Sequence, residues 1–260
     1  MSTLAYAWRD SVTMLRRNLK HQLRYPSMTL MIIGIPVIFL LLFVYVFGGT
    51  LGAGLGGDRS DYANYVTPGV LLLAVAGAAT STAVSVAMDM TEGIIARFKT
   101  MAIFRPSVLT GHVLGNFIQS LVGLAVVIGV AFLVGFRPNA SFVEWLGISG
   151  MLLLVTFAIV WLSVACGLWA KTVESASNIP MPLILLPFLG SGFVPTDSMP
   201  AAMGWFAEYQ PFTPVMETLR GLMFGTVIGK SAWIAVGWCV LITVVSFVWA
   251  KRLYNRDPRN

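Results

Sequence analysis

Few residues of this 260-residue chain have side chains able to act on a substrate, and most of those sit where chemistry is hard to do. Cys166 and Cys239 both lie inside apolar runs, with no histidine or cysteine at ligand spacing. They read as small core residues, forming neither a disulfide framework nor a metal site. Gly229-Lys230-Ser231 has the ending of a phosphate-binding loop, but the first glycine of that pattern would fall on Phe224 and no strand–turn–helix context surrounds it. No Walker B motif and no soluble domain accompany it. The chain is therefore expected to have no catalytic residues and to bind no cofactor; if ATP is used, another polypeptide holds it. Three polar residues, His112, Asn116 and Gln119, share one helical face at i, i+4 and i+7 inside an apolar run. Polar groups in lipid face a bundle interior, so these three either contact a transported cargo or hydrogen-bond neighbouring helices. Two further segments with charged residues and a distinctive pattern are Asp89 to Pro106 and Pro195 to Lys230.

The elements that must position these residues are membrane helices. Hydrophobic residues make up 57% of the chain and charged residues 11%, with mean hydropathy +0.80; a soluble domain carries about 25% charged residues. A sequence pI of about 9.6 would suit nucleic-acid binding, but the basic residues flank the apolar runs and form no continuous stripe. Five runs are long enough to cross a bilayer: 27–47, 66–88, 108–134, 146–168 and 231–250. A sixth, 177–194, carries Pro180, Pro182 and Pro187 and is read as a kinked span packed inside the protein. The fold class is thus all-α, a single transmembrane domain over 1–260 with six spans. Thirteen Lys and Arg then lie on the side of the termini and four on the other, which places both termini in the cytoplasm. The first run is longer than a signal-peptide core and is read as a retained anchor.

Residues 1–26 carry Leu4, Trp8, Leu15, Leu19 and Leu23 near one face and Arg9, Arg16, Arg17 and Lys20 on the remainder, as expected of a helix in the cytoplasmic membrane interface. The outer segment from Pro195 to Lys230 is too apolar for a solvated loop and cannot span without inverting the C-terminus. It is expected to form two short helices that dip into the outer leaflet and return, broken at Gln210-Pro211-Phe212-Thr213-Pro214. Glu217 and Arg220, at i and i+3 on its second limb, are expected to pair with each other or across a dimer. The 89–107 loop has helical character, with Ile94, Phe98 and Met101 on one face and acids early, and would suit docking of a cytoplasmic partner. Asn139-Ala140-Ser141 is formally a glycosylation acceptor to which no function is assigned. The spacings Gly111/Gly115, Gly221/Gly225 and Gly225/Gly229 permit close helix approach without naming an interface.

Two blocks carry a family resemblance. One is Asp-Met-Thr-Glu-Gly-Ile-Ile-Ala-Arg-Phe-Lys-Thr-Met at 89–101 with Arg105 following. The other is Phe-Val-Pro-Thr-Asp-Ser-Met-Pro at 193–200, continuing with Ala-Glu-Tyr-Gln-Pro-Phe-Thr-Pro-Val-Met-Glu-Thr-Leu-Arg-Gly-Leu at 207–222. With the six-span plan they resemble the type-2 ABC exporter permeases, closest to the daunorubicin-resistance membrane subunits. The resemblance implies a dimer of this chain with a second copy or a paralogue, served by two cytoplasmic ATP-binding cassette subunits that carry ATP and magnesium. It implies ATPase coupling at Asp89, Glu92, Gly93, Arg97, Phe98 and Arg105. It also implies an outer gate over 195–228 involving Pro195, Pro200, Gln210, Pro211, Thr213, Pro214, Glu217, Arg220 and Gly221. Ala102 stands where related sequences usually have proline, so the coupling helix would run further toward Arg105. The expected activity is export of a drug or lipophilic metabolite across a bacterial plasma membrane. The rival within the family is export of a lipid or lipid-linked polysaccharide. An ion-coupled secondary transporter would call for intramembrane carboxylates or inverted repeats, and neither is visible.

Overall fold

A computed structural model describes residues 3–24, 26–54, 58–94, 106–194 and 199–255, and among them the only regular elements are helices. In chain order these are α1 (Thr3–Arg24), α2 (Pro26–Leu41), a π-helical turn (Leu42–Phe47), α3 (Gly48–Gly54), α4 (Arg59–Thr91), α5 (Pro106–Val134), α6 (Phe142–Trp169), α7 (Val173–Asn178), α8 (Met181–Leu185), α9 (Ala201–Tyr209), α10 (Phe212–Phe224) and α11 (Ser231–Asn255). Five helical stretches are long and apolar enough to cross a membrane: Ile32–Gly54, α4, α5 from Ser107, α6 and α11.

Local chemistry sets the helix starts. Asp58 caps α4: its Oδ1 accepts the N–H groups of Ser60 (2.7 Å) and Asp61 (3.1 Å), while its own N–H donates to Asp61 Oδ2 (3.0 Å). Ser141 and Glu144 make the same reciprocal pair at the start of α6. Ser141, one residue of the formal glycosylation triplet, is thus a helix cap.

The segment 177–194 is where the structure departs from an intact sixth helix. It is divided into the end of α7, the short α8 and consecutive turns through Phe193. The reason is Pro180, Pro182 and Pro187, each of which lacks an N–H and crowds the carbonyl four residues back. The segment is nonetheless internal. Pro187, Gly190, Ser191, Gly192 and Phe193 are buried, and Phe188 and Phe193, stacked at 4.5 Å, meet Phe39 and Phe43 of the first span.

The long helices α4 and α6 form the centre, buried over most of their length. Helices α2, α5 and α11 pack around them and turn long apolar faces outward, such as Ile35, Ile38 and Leu42, Val122 and Val126, and Leu241, Val244 and Val245. One end of the bundle holds the C-terminal ends of α4, α6 and α11 with the start of α5, joined through Val86, Val108, Val164 and Tyr254. Helix α1 lies at this end, packed on α5. The opposite end holds the start of α4, the turns after α8, and α10. Helix α10 is largely buried against α4, α6 and α11.

Helix α1 has three faces. Trp8 and Leu23 of its apolar stripe are 74% and 81% exposed. Arg9, Arg16, Lys20 and Arg24 are exposed on a second face. The third face, with Met14 and Asn18, sits on Gly111 and Gly115 so closely that a Cβ on either glycine would collide with it.

Candidate functional site

Two polar clusters stand at opposite ends of α4. At the α1 end, Asp89 lies in the last turn of α4. Arg17 of α1 donates to both its oxygens (Nη1 to Oδ2 and Nη2 to Oδ1, each 2.9 Å), and His112 Nε2 of α5 is 3.0 Å from Oδ2. Asn18 Nδ2 lies 3.1 Å from His112 Nδ1, and Asn18 Oδ1 accepts from Gln22 Nε2 at 2.8 Å. That second bond orients the Asn18 amide, so its N–H faces His112 Nδ1. Gln22 reaches on to Asn116 Oδ1 (3.3 Å), Asn116 Nδ2 donates to the His112 carbonyl (2.8 Å), and Gln119 Nε2 donates to Thr29 Oγ1 of α2 (2.9 Å).

The three polar residues on one face of α5 thus all have partners on, or bonds directed toward, the α1–α2 side of the bundle. The glycine spacing Gly111/Gly115 has a definite occupant, which is α1. Beside Asp89 a small cleft opens between Arg17, Asn18, Ser85, Met88, Glu92 and His112. Glu92 is exposed, and Gly93 takes a left-handed conformation (φ 71°) that ends the helix. Arg97, Phe98 and Arg105 lie outside the described residues.

At the other end the polar side chains serve the backbone. The turns after α8 leave carbonyls that no regular helix satisfies. Gln210 Nε2 donates to the Leu186 carbonyl (2.8 Å) and to Thr213 Oγ1 (3.3 Å). Arg220 Nη2 donates to the Ser191 carbonyl (2.9 Å) and to the Tyr65 carbonyl (3.4 Å), and its guanidinium lies 4.2 Å over the Tyr65 ring. Tyr65 OH donates to the same Ser191 carbonyl at 3.1 Å.

The expected Glu217–Arg220 pair is not what forms. Glu217 Oε2 accepts from Ser231 Oγ (2.6 Å), and Arg220 turns to carbonyls and a ring within its own chain. The physical reason is the broken backbone: orphan carbonyls in a buried site need donors, and a guanidinium offers five.

Gln210 is held extended (ψ 152°) by the proline after it, which breaks α9 from α10 at the expected place. Pro200 precedes α9 and is exposed, Pro211 caps α10, and Thr213 and Pro214 are buried in its first turn. Gly221 leaves room for Ile228, which folds back onto it. Pro195 lies outside the described residues. Gly69 of α4 lies close against Gly192, where a Cβ on Gly69 would stand 2.7 Å from the Gly192 oxygen.

Arg17, Asn18, Gln22, Tyr65 and Ser191 were not singled out from sequence as site residues. The signal for Asn18 and Gln22 was present, since both lie one turn apart beside the apolar stripe of α1. Tyr65 and Ser191 carry no local signal.

Comparison with known proteins places these clusters in a family context. Residues 10–224 match the model of the ABC-2 type transporter family. The chain is 30% identical over 227 residues to the daunorubicin resistance ABC transporter permease protein DrrB1 of Streptomyces coeruleorubidus, covering 86% of this chain and 76% of that protein. It is 24% identical over 215 residues to a probable doxorubicin resistance ABC transporter permease protein, DrrC, of Mycobacterium tuberculosis, covering 81% of this chain and 76% of that one.

Proposed function

Because this chain belongs to the ABC-2 type transporter family, we propose that it is the permease subunit of an exporter that moves a drug or lipophilic metabolite out across a bacterial plasma membrane. It is a multi-pass membrane protein and a permease component, with no ATPase role of its own. Members of the family work with a separate ATP-binding subunit. The observation that carries the cargo class is the 30% identity to a daunorubicin resistance permease over most of both chains.

In this reading the α1 end is cytoplasmic and the α10 end faces outward, as the thirteen-to-four distribution of basic residues favours. The broken 177–194 segment counts as the sixth crossing, and α9 with α10 is the re-entrant hairpin and outer gate. Helix α1 lies in the inner interface with Trp8 and Leu23 toward acyl chains. Two cassette subunits carrying ATP and magnesium dock near Glu92, Gly93, Arg97, Phe98 and Arg105, and a second permease copy or paralogue completes the path. Helix α4 links the two ends, since Asp89 and Tyr65 are roughly 36 Å apart along it at 1.5 Å per residue. Closure of the ATPases would bias two arrangements of the bundle with different affinities for cargo.

Co-expression with its cassette ATPase in a drug-sensitive host should lower daunorubicin accumulation, while the permease alone should not. Unchanged accumulation of daunorubicin alongside faster outward movement of a fluorescent lipid would favour the lipid-export reading. Topology is checked separately: Ser60→Cys should react with an impermeant thiol reagent in intact cells, and Lys171→Cys should not.

A further inference from the structure

Three helices converge on one carboxylate at the edge of the proposed ATPase docking region. Asp89 lies four residues before Gly93, where α4 ends. Both its oxygens are engaged by Arg17 of α1, and one also by His112 of α5. Helix α1 cannot slide past this point independently, because Met14 and Asn18 fill the space left by Gly111 and Gly115. A small cleft opens at the same place, lined by Arg17 and Asn18 of α1, Ser85, Met88, Asp89 and Glu92 of α4 and His112 of α5, so the three helices meet around Asp89 without a filled core.

We infer that Asp89 is a positioning residue whose carboxylate makes α1, α4 and α5 move as one unit, so that a stroke delivered just beyond Gly93 reaches the N-terminal helix. The inference rests on the permease reading and deepens it. Asp89 need not touch the ATPase; it transmits what happens next to it. Breaking a bidentate, partly buried pair leaves a charge without its partner, while exchanging the two charges preserves the attraction.

The test uses the full chain with its cassette ATPase in proteoliposomes, with daunorubicin as probe. Transport per ATP hydrolysed is measured for Asp89→Asn, Asp89→Arg, Arg17→Asp and the Arg17→Asp/Asp89→Arg exchange, and Tm is recorded for each. Asp89→Arg should lower transport per ATP about tenfold, the order of an ordinary coupling energy, while ATPase copurification is kept. The exchange should recover most of that loss. An unchanged ratio in Asp89→Asn and Asp89→Arg overturns the inference. An exchange that restores Tm but leaves the ratio low also overturns it, by showing a staple with no part in transmission. If the wild-type chain retains no ATPase, the permease reading falls and this inference with it; a normal wild type with indifferent Asp89 variants sinks the inference alone.

Discussion

The α1 end and the α10 end of this bundle are both polar, but they are polar for opposite reasons. At the α1 end, intact helices have satisfied backbones, and the side chains bond one another: Arg17 to Asp89, Asn18 to His112, Gln22 to Asn18. At the α10 end the backbone itself is broken, and Gln210, Tyr65 and Arg220 give their donors to the carbonyls of Leu186 and Ser191. The first cluster ties helices together. The second makes an irregular segment tolerable away from water. A side-chain network can be re-paired by a compensating substitution, whereas a carbonyl cannot be mutated away.

That contrast ranks the expected effects. Arg220→Ala should be the most damaging change, costing on the order of 3 kcal/mol and abolishing export, because it strips a donor from two carbonyls and a cation from Tyr65. Arg220→Lys should recover only part of the activity, since a tetrahedral ammonium has no planar face to lie over the Tyr65 ring as the guanidinium does. Drug resistance and Tm in detergent check both, and wild-type export by Arg220→Ala would erase the contrast. Gly115→Leu should come next, at roughly 2 kcal/mol, by forcing α1 off α5. Faster proteolysis between α1 and α2 would report it. Gln210→Met should cost about 1 kcal/mol, because losing the bond to Leu186 is offset by removing a buried Oε1 with no partner of its own. Glu217→Ala, whose one hydrogen bond is from Ser231 and which meets Arg220 only through space, should fall within about 0.5 kcal/mol of wild type by Tm and export normally.

How much of this was legible in the sequence follows from the range of each interaction. The five long helices are written in runs of apolar residues, and the break before α10 in Gln210-Pro211, because hydropathy and proline sterics act locally. The interruption of 177–194 was visible in three prolines. What proline cannot disclose is which distant donor rescues the freed carbonyls, and Arg220 lies 29 residues from Ser191 and 155 from Tyr65. The apolar stripe of α1 suggested a lipid-facing helix but said nothing of its docking edge, since Asn18 and Gln22 look like ordinary polar surface until α5 is beside them. The face of His112, Asn116 and Gln119 was read as either cargo path or helix contact. The structure gives each of the three a hydrogen bond within the protein.

The length of α4 also has a mechanical meaning. A helix held at Asp89 by α1 and α5 and meeting Arg220 of α10 at Tyr65 acts as a lever. Over its roughly 36 Å, a tilt of about 5° displaces the far end by about 3 Å, which is the full reach of a hydrogen bond. The Tyr65 carbonyl already sits 3.4 Å from Arg220, so a modest rocking at the α1 end is enough to make or break that contact. Large domain motion is then unnecessary for one end of this molecule to register what happens at the other.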